Sequence, residues 1–217
     1  LLLVSCLPSP PDEFTAKLTA KGDFGIEVYE IIQDEIDIDD HFNEVELPEK
    51  NLLFIALDDT VATSYSKQIQ SAYKTDKEVR IEDVAWWRFS KFFKGVYNKV
   101  VRIPHNNFTK ESLFHALELM EKMNAPYDLY LLTHGIPNHI TTVKGAPFVS
   151  YKDIQQIAAK FVAPEFVYMQ GCFSNSLAYD WLDIGVQDVL AFDGWNRNFF
   201  YIEFFLRNYQ KYPHNVS

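Results

Sequence analysis

Short apolar runs separated by amphipathic stretches organise the chain from residue 51 onward. Leu52 to Leu57 (LLFIAL), Lys99 to Ile103, Asp128 to Thr133, Phe166 to Gln170 and Val189 to Phe192 are rich in Leu, Ile, Val, Phe and Tyr. Runs of this length and composition predict buried strands. Each meets a break: Asp58-Asp59, Pro104, His134-Gly135, Gly171-Cys172 and Asp193-Gly194. Between them lie stretches with helical spacing, at Ser64 to Tyr73, Glu82 to Tyr97, Asp153 to Phe161 and Ser174 to Asp183, with a last one at Asn198 to Tyr209. In the second, Val84, Trp87, Phe89, Phe92 and Phe93 weight one face. The clearest follows Thr109, a good N-cap, with Leu113, Ala116, Leu117, Met120 and Met123 on one face and Asn124 and Pro126 at its end. Strand alternating with helix predicts an α/β fold with a mostly parallel sheet.

Two segments depart from that alternation. Residues 136–150 carry Pro137, Gly145 and Pro147 around the run Ile140 to Val143 and the pair Phe148-Val149, which predicts a hairpin or loop. Residues 14–50 are strongly acidic, with alternation in Gly25 to Ile31 that suits a strand or hairpin before a polar stretch. Asp34 to Asp40 lacks the spacing of a calcium loop, so a solvated acidic face is the better reading, and calcium binding the weaker one.

The first thirteen residues read differently again. Leu3-Val4-Ser5-Cys6 resembles a bacterial lipobox, and Pro8, Pro10 and Pro11 suit an extended tether. The expected organisation is therefore a signal remnant and linker over 1–13, an acidic segment over 14–50 and one domain over 51–217. Lipid on Cys6 would anchor the chain at a membrane of the bacterial cell envelope and leave Cys172 as its free thiol.

Composition narrows the partners. Aromatic residues reach 16%, including 18 Phe and 12 Tyr, so the core should be bulky. A formal net charge of −10 argues against nucleic acid, whose phosphates need a basic footprint. A peptide or protein substrate remains compatible.

The chemistry concentrates where two strands end. YDLYLLTHG delivers His134 and Gly135, and FVYMQGCFS delivers Gly171 and Cys172. Carboxyl ends of parallel strands are where α/β proteins place reactive groups. A thiol needs a base to become the attacking thiolate, and an imidazole can take that proton and return it to a leaving amine. A helix starting after Cys172 would add a favourable dipole, and the two glycines remove side chains beside both groups, which would let a substrate backbone approach and leave N–H groups free for an oxyanion hole. His41, His105, His115, His139 and His214 show no metal-ligand spacing, and Ser174 and Ser176 form no Gly-x-Ser-x-Gly elbow. No metal or organic cofactor is expected.

From Asn51 to about Trp195, these motifs resemble the caspase-like clan of cysteine peptidases, which includes caspases, legumains, clostripain-type and gingipain-type enzymes, separases and the CHAT domain group. The motifs are LLTHG (131–135) and VYMQGC (167–172), with Gln170-Gly171-Cys172 similar to the caspase Gln-Ala-Cys. The passage PHNNFTKESLFHALELM also resembles the clan's strand-to-helix segment before the His strand. The resemblance implies a three-layer α/β/α fold, Cys172 as nucleophile, His134 as general acid and base, and the backbone N–H groups of Gly135 and Cys172 as an oxyanion hole. It also points to Asp193, Trp195 and Arg197 as a substrate-binding loop. Phe173-Ser174 stand where caspases carry Arg-Gly, and His134 precedes Cys172 by 38 positions (172 − 134), fewer than the roughly 50 of caspases. Caspase specificity for aspartate is therefore not transferred. The competing reading is a non-catalytic interaction lipoprotein on the same fold.

Overall fold

The computed structural model describes residues 16–32, 50–56, 86, 93, 96–104, 107–141 and 147–194. The expected helices at 64–73 and 198–209, most of the one at 82–97, and the acidic run 34–40 lie outside these residues. So does Cys6.

Within them, ten strands form two sheets. The larger contains β1 (Ala16–Lys21), β2 (Glu27–Ile31), β3 (Asn51–Ala56), β4 (Lys99–Ile103), β5 (Tyr127–Leu132), β9 (Phe166–Met169) and β10 (Asp188–Leu190). Their order across it is β1-β2-β4-β3-β5-β9-β10. The five strands from β4 to β10 run parallel, and β2 joins β4 antiparallel with β1 outside it. The acidic N-terminal region thus contributes a hairpin to the same sheet, with Glu27 opposite Arg102. The smaller sheet is antiparallel, in the order β6 (His134–Ile136), β7 (His139–Thr141), β8 (Pro147–Ser150).

Side chains alternate across the large sheet, as the two-residue period of a strand requires. Leu53, Ile55, Val101, Leu129, Leu131, Val167 and Met169 enter one apolar cluster. Helix α1 (Lys110–Met123) adds Leu113, Ala116, Leu117 and Met120 to it, helix α2 (Tyr151–Ala158) adds Ile154 and Ile157, and helix α3 (Ala178–Asp183) adds Trp181. Leu52, Phe54, Val100, Tyr130, Leu132 and Tyr168 enter the cluster on the opposite face, with Trp86, Phe93 and Tyr97. Burial on both faces explains why the parallel strands read as continuous apolar runs rather than alternating ones.

Helix α1 starts and stops where its caps dictate. Thr109 Oγ1 accepts from Ser112 N, and Thr109 N donates to Ser112 Oγ. Asn124 ends it in the left-handed conformation (φ 51°), one of the few that asparagine tolerates better than most residues. Helix α2 begins two residues before the predicted Asp153. The Asp153 carboxylate accepts from both the backbone and the hydroxyl of Ser150, at 2.9 and 2.6 Å, so Asp153 is the third helical residue and not the first.

At the amino-terminal edge of the parallel strands sits a buried polar cluster that the sequence reading did not single out. Lys50 Nζ lies 2.7 Å from Asp128 Oδ1 and 3.0 Å from Glu165, while Tyr97 donates to Asp128 at 2.7 Å and shares a 2.9 Å hydrogen bond with Tyr130. Burial raises the Asp128 pKa against the opposing pull of the Lys50 ammonium and the Tyr97 hydroxyl. A carboxyl whose folded pKa is raised favours folding most below the unfolded value, and that advantage is lost as pH rises through the folded one. The signal was a lone aspartate inside the apolar run YDLYLL, since a buried charge must be paired. This cluster stands at the opposite end of the sheet from His134 and Cys172.

Candidate active site

His134 and Cys172 leave the large sheet from adjacent strands. β5 and β9 are parallel neighbours whose last paired residues are Leu131 and Met169, and Gln170 N extends the contact by donating to Leu131 O at 2.8 Å. Beyond that point the two chains diverge in style.

After β5, Thr133 is a single buried step before β6 begins at His134. The histidine is therefore the first residue of the small sheet, opposite Thr141, rather than the tip of a bare strand. The β6–β7 hairpin turns at Pro137 and Asn138, the latter with φ 66°. Proline followed by a residue at positive φ is the chemistry of a type II turn.

After β9 the backbone makes a tight reversal. Phe173, immediately behind Cys172, is left-handed at φ 56° and ψ 21°, a conformation costing about 1–2 kcal/mol for a residue with a side chain. The surroundings hold it there. Phe173 N donates to Gly194 O at 2.8 Å, and Ser176 Oγ donates to Phe173 O at 2.8 Å. The buried Ser174 hydroxyl donates to Met169 O at 2.9 Å and accepts from Phe192 N at 3.0 Å. Asn175 N adds a 3.1 Å bond to Phe192 O. The turn bearing Cys172 is thus stitched to the segment leaving β10.

The two reversals meet through their glycines. A Cβ placed on Gly135 would stand 2.2 Å from the carbonyl oxygen of Cys172 and 3.3 Å from its nitrogen. A Cβ on Gly171 would stand 3.3 Å from Gly135 N and 3.4 Å from the His134 carbonyl carbon. The sequence reading gave these glycines the task of clearing space for a substrate. Instead, the space each leaves is filled by the other loop's backbone. Close approach of main chains is what glycine permits, and here it packs the backbone at His134–Gly135 against that at Gly171–Cys172. Both residues are half-buried, and Cys172 forms no disulfide among the described residues.

The helix predicted over Ser174 to Asp183 keeps those bounds, but its first four residues are a 3-10 turn (Ser174–Leu177) and its α-helical part is the six-residue α3. Ser174 and Ser176 spend their hydroxyls on backbone carbonyls, an arrangement that competes with regular helix. The α-helix starts only at Ala178, and a helix dipole fades within its first turn. Its dipole therefore does not act on Cys172. Ser174 and Ser176, which fit no nucleophile motif, are the staples of the turn, and their sequence signal is two short hydroxyl side chains spaced after a Gly-Cys break.

Of the expected substrate loop, Asp193 is exposed beside Gly194 (φ 83°), while Trp195 and Arg197 lie outside the described residues. Among the described residues, no group of three or more His, Cys, Asp or Glu side chains could hold a metal ion. No helix there is long and apolar enough to cross a membrane. Compared with protein-family models, curated proteins and solved structures, the chain matches none.

Proposed function

We propose that this protein is a cysteine peptidase of caspase-like, three-layer architecture, with Cys172 as nucleophile and His134 as its acid–base partner. The observation that supports the reading is the interlock of Gly135 and Gly171, which packs the backbones that carry His134 and Cys172 against each other at the carboxyl ends of adjacent parallel strands. The order of the parallel strands reverses at β3, between β4 and β5, so the neighbouring crevice is where ligands of open α/β sheets bind.

In this reading, Cys172 Sγ bonds to the carbonyl carbon of the scissile peptide as His134 takes the thiol proton. The carbonyl oxygen gains the negative charge, met by the N–H groups of Gly135 and Cys172. His134 returns the proton to the amine as the C–N bond breaks, leaving a thioester on Cys172. Water, deprotonated by His134, then releases the acid and restores the thiol. The residue preceding the scissile bond would meet the loop of Asp193, Trp195 and Arg197, and lipid on Cys6 would place the activity at a bacterial envelope membrane. No step calls for a metal or organic cofactor.

The test is hydrolysis of a sequence-diverse peptide library, with cleavage products read by mass spectrometry. Wild type should cleave a subset, Cys172→Ala none, and His134→Ala at a rate lower by about a hundredfold or more. Cleavage undiminished in Cys172→Ala would overturn the assignment. Binding of peptides without cleavage by wild type would favour the interaction-lipoprotein reading instead.

A further inference from the structure

Resting on the dyad reading above, we infer that Ser176 is a positioning residue that fixes the His134 hairpin on the Cys172 turn. Its hydroxyl has two partners, one on each side. It accepts from the backbone N–H of Asn138, at the tip of the hairpin that begins with His134, at 2.7 Å. It donates to the carbonyl of Phe173, the residue after Cys172, at 2.8 Å. One hydroxyl therefore spans 38 positions of sequence and links the two catalytic loops directly.

The geometry gives this link a specific task. The glycine interlock bounds how closely the bases of the two loops approach, because their backbones are already in contact. It does not reach the tip of the hairpin, where Ile136, Pro137 and Asn138 are exposed, although β7 behind the tip is paired with β8. Ser176 holds the hairpin at its far end, beyond the interlock. Two separated contacts define an orientation where one defines only proximity. Phe173 is held at a positive φ (56°) at the same point, and the hydroxyl's bond to its carbonyl is one of the contacts that hold the turn carrying Cys172, beside the backbone bond from Ser176 N at 3.2 Å. An imidazole must be aligned with the thiol, and not merely near it, to move its proton.

Ser174 differs in kind. Its bonds run from Met169 O to Phe192 N, within the sheet-end segments on the Cys172 side, and neither reaches the hairpin. Ser176 is the hydroxyl that serves both loops.

The experiment measures iodoacetamide alkylation of Cys172 across pH in wild type, Ser176→Ala, Ser176→Thr, His134→Ala and the double variant Ser176→Ala/His134→Ala. Thermal unfolding of each checks that it is folded. Because Ser176 acts through His134, the pH–rate profile of Ser176→Ala should shift toward that of His134→Ala, with roughly a tenfold loss at neutral pH. The double variant should match His134→Ala alone, the non-additivity expected of coupled residues. Ser176→Thr keeps the hydroxyl and should restore most of the wild-type profile. A Ser176→Ala profile equal to wild type, or losses that simply add in the double variant, would overturn the positioning role while leaving the dyad intact. A His134→Ala profile equal to wild type would overturn both. Should Ser176→Ala not fold, the near-isosteric pair Ser176→Thr and Ser176→Val decides: valine, which lacks the hydroxyl, must reproduce the shift that threonine does not, and failure to do so overturns the role.

Discussion

At the scale of single residues, the glycines carry more of the account than the reactive side chains do. Cys172 and His134 could be named from the phrases that deliver them, because an apolar run stopping at a reactive group is visible in one dimension. What Gly135 and Gly171 do was visible only in part. Their smallness could be read, but whether the vacated space faces a substrate or another stretch of backbone depends on which loops meet. Gly135→Ala should therefore be severe: its Cβ would fall 2.2 Å from a carbonyl oxygen, which belongs to backbone and cannot swing aside. The expected outcome is a loss of about 1–3 kcal/mol in stability by denaturant unfolding, accompanied by slower Cys172 labelling. Gly171→Ala meets its nearest atom at 3.3 Å and should cost less. Equal stability of wild type and Gly135→Ala would show that the loops do not pack this way.

At the scale of elements, the parallel strands and helix α1 were legible because local signals agreed with one another. Continuous apolar runs marked β3, β4, β5, β9 and β10, and a threonine cap with a left-handed asparagine stop bounded α1. Two helix starts differ from the expected ones for one physical reason: short polar side chains bonding to nearby backbone shift or tighten helix ends. Ser150 and Asp153 start α2 earlier, and Ser174 and Ser176 turn a predicted helix into a 3-10 turn followed by six residues of α-helix. The Asp153 carboxyl also pairs with Lys110 on α1. Burial pushes its pKa up, but Lys110 and the two Ser150 donors outweigh this and hold it below the ordinary value. A depressed carboxyl stabilises the fold above its unfolded pKa and loses that contribution as pH falls through the folded one. Asp153→Asn should thus cost about 1 kcal/mol at neutral pH and flatten the acid limb of the stability profile. Thermal unfolding followed from pH 7 down to pH 2 checks this; an unchanged acid limb would remove Asp153 from the account.

For the molecule as a whole, the sequence reading recovered a mostly parallel α/β sheet, but it treated the acidic N-terminal region as separate from the domain. The β1–β2 hairpin instead extends the large sheet antiparallel, through pairing with β4. Register between distant strands leaves no local trace, which is why the hairpin could be anticipated and its partner could not. The same holds for the Lys50–Asp128–Tyr97 cluster, assembled from three separate stretches of chain. The sheet thus carries a buried ionic cluster under its amino edge and two glycine-locked loops at its carboxyl edge.

The central claim is that those loops make His134 and Cys172 a working pair. The most direct measurement is the rate at which a peptidyl acyloxymethyl ketone labels Cys172 at neutral pH, in wild type and in His134→Ala, with Cys172→Ala as the blank. The account predicts labelling confined to Cys172 and slowed by about tenfold or more without the imidazole. Equal rates in wild type and His134→Ala would contradict it.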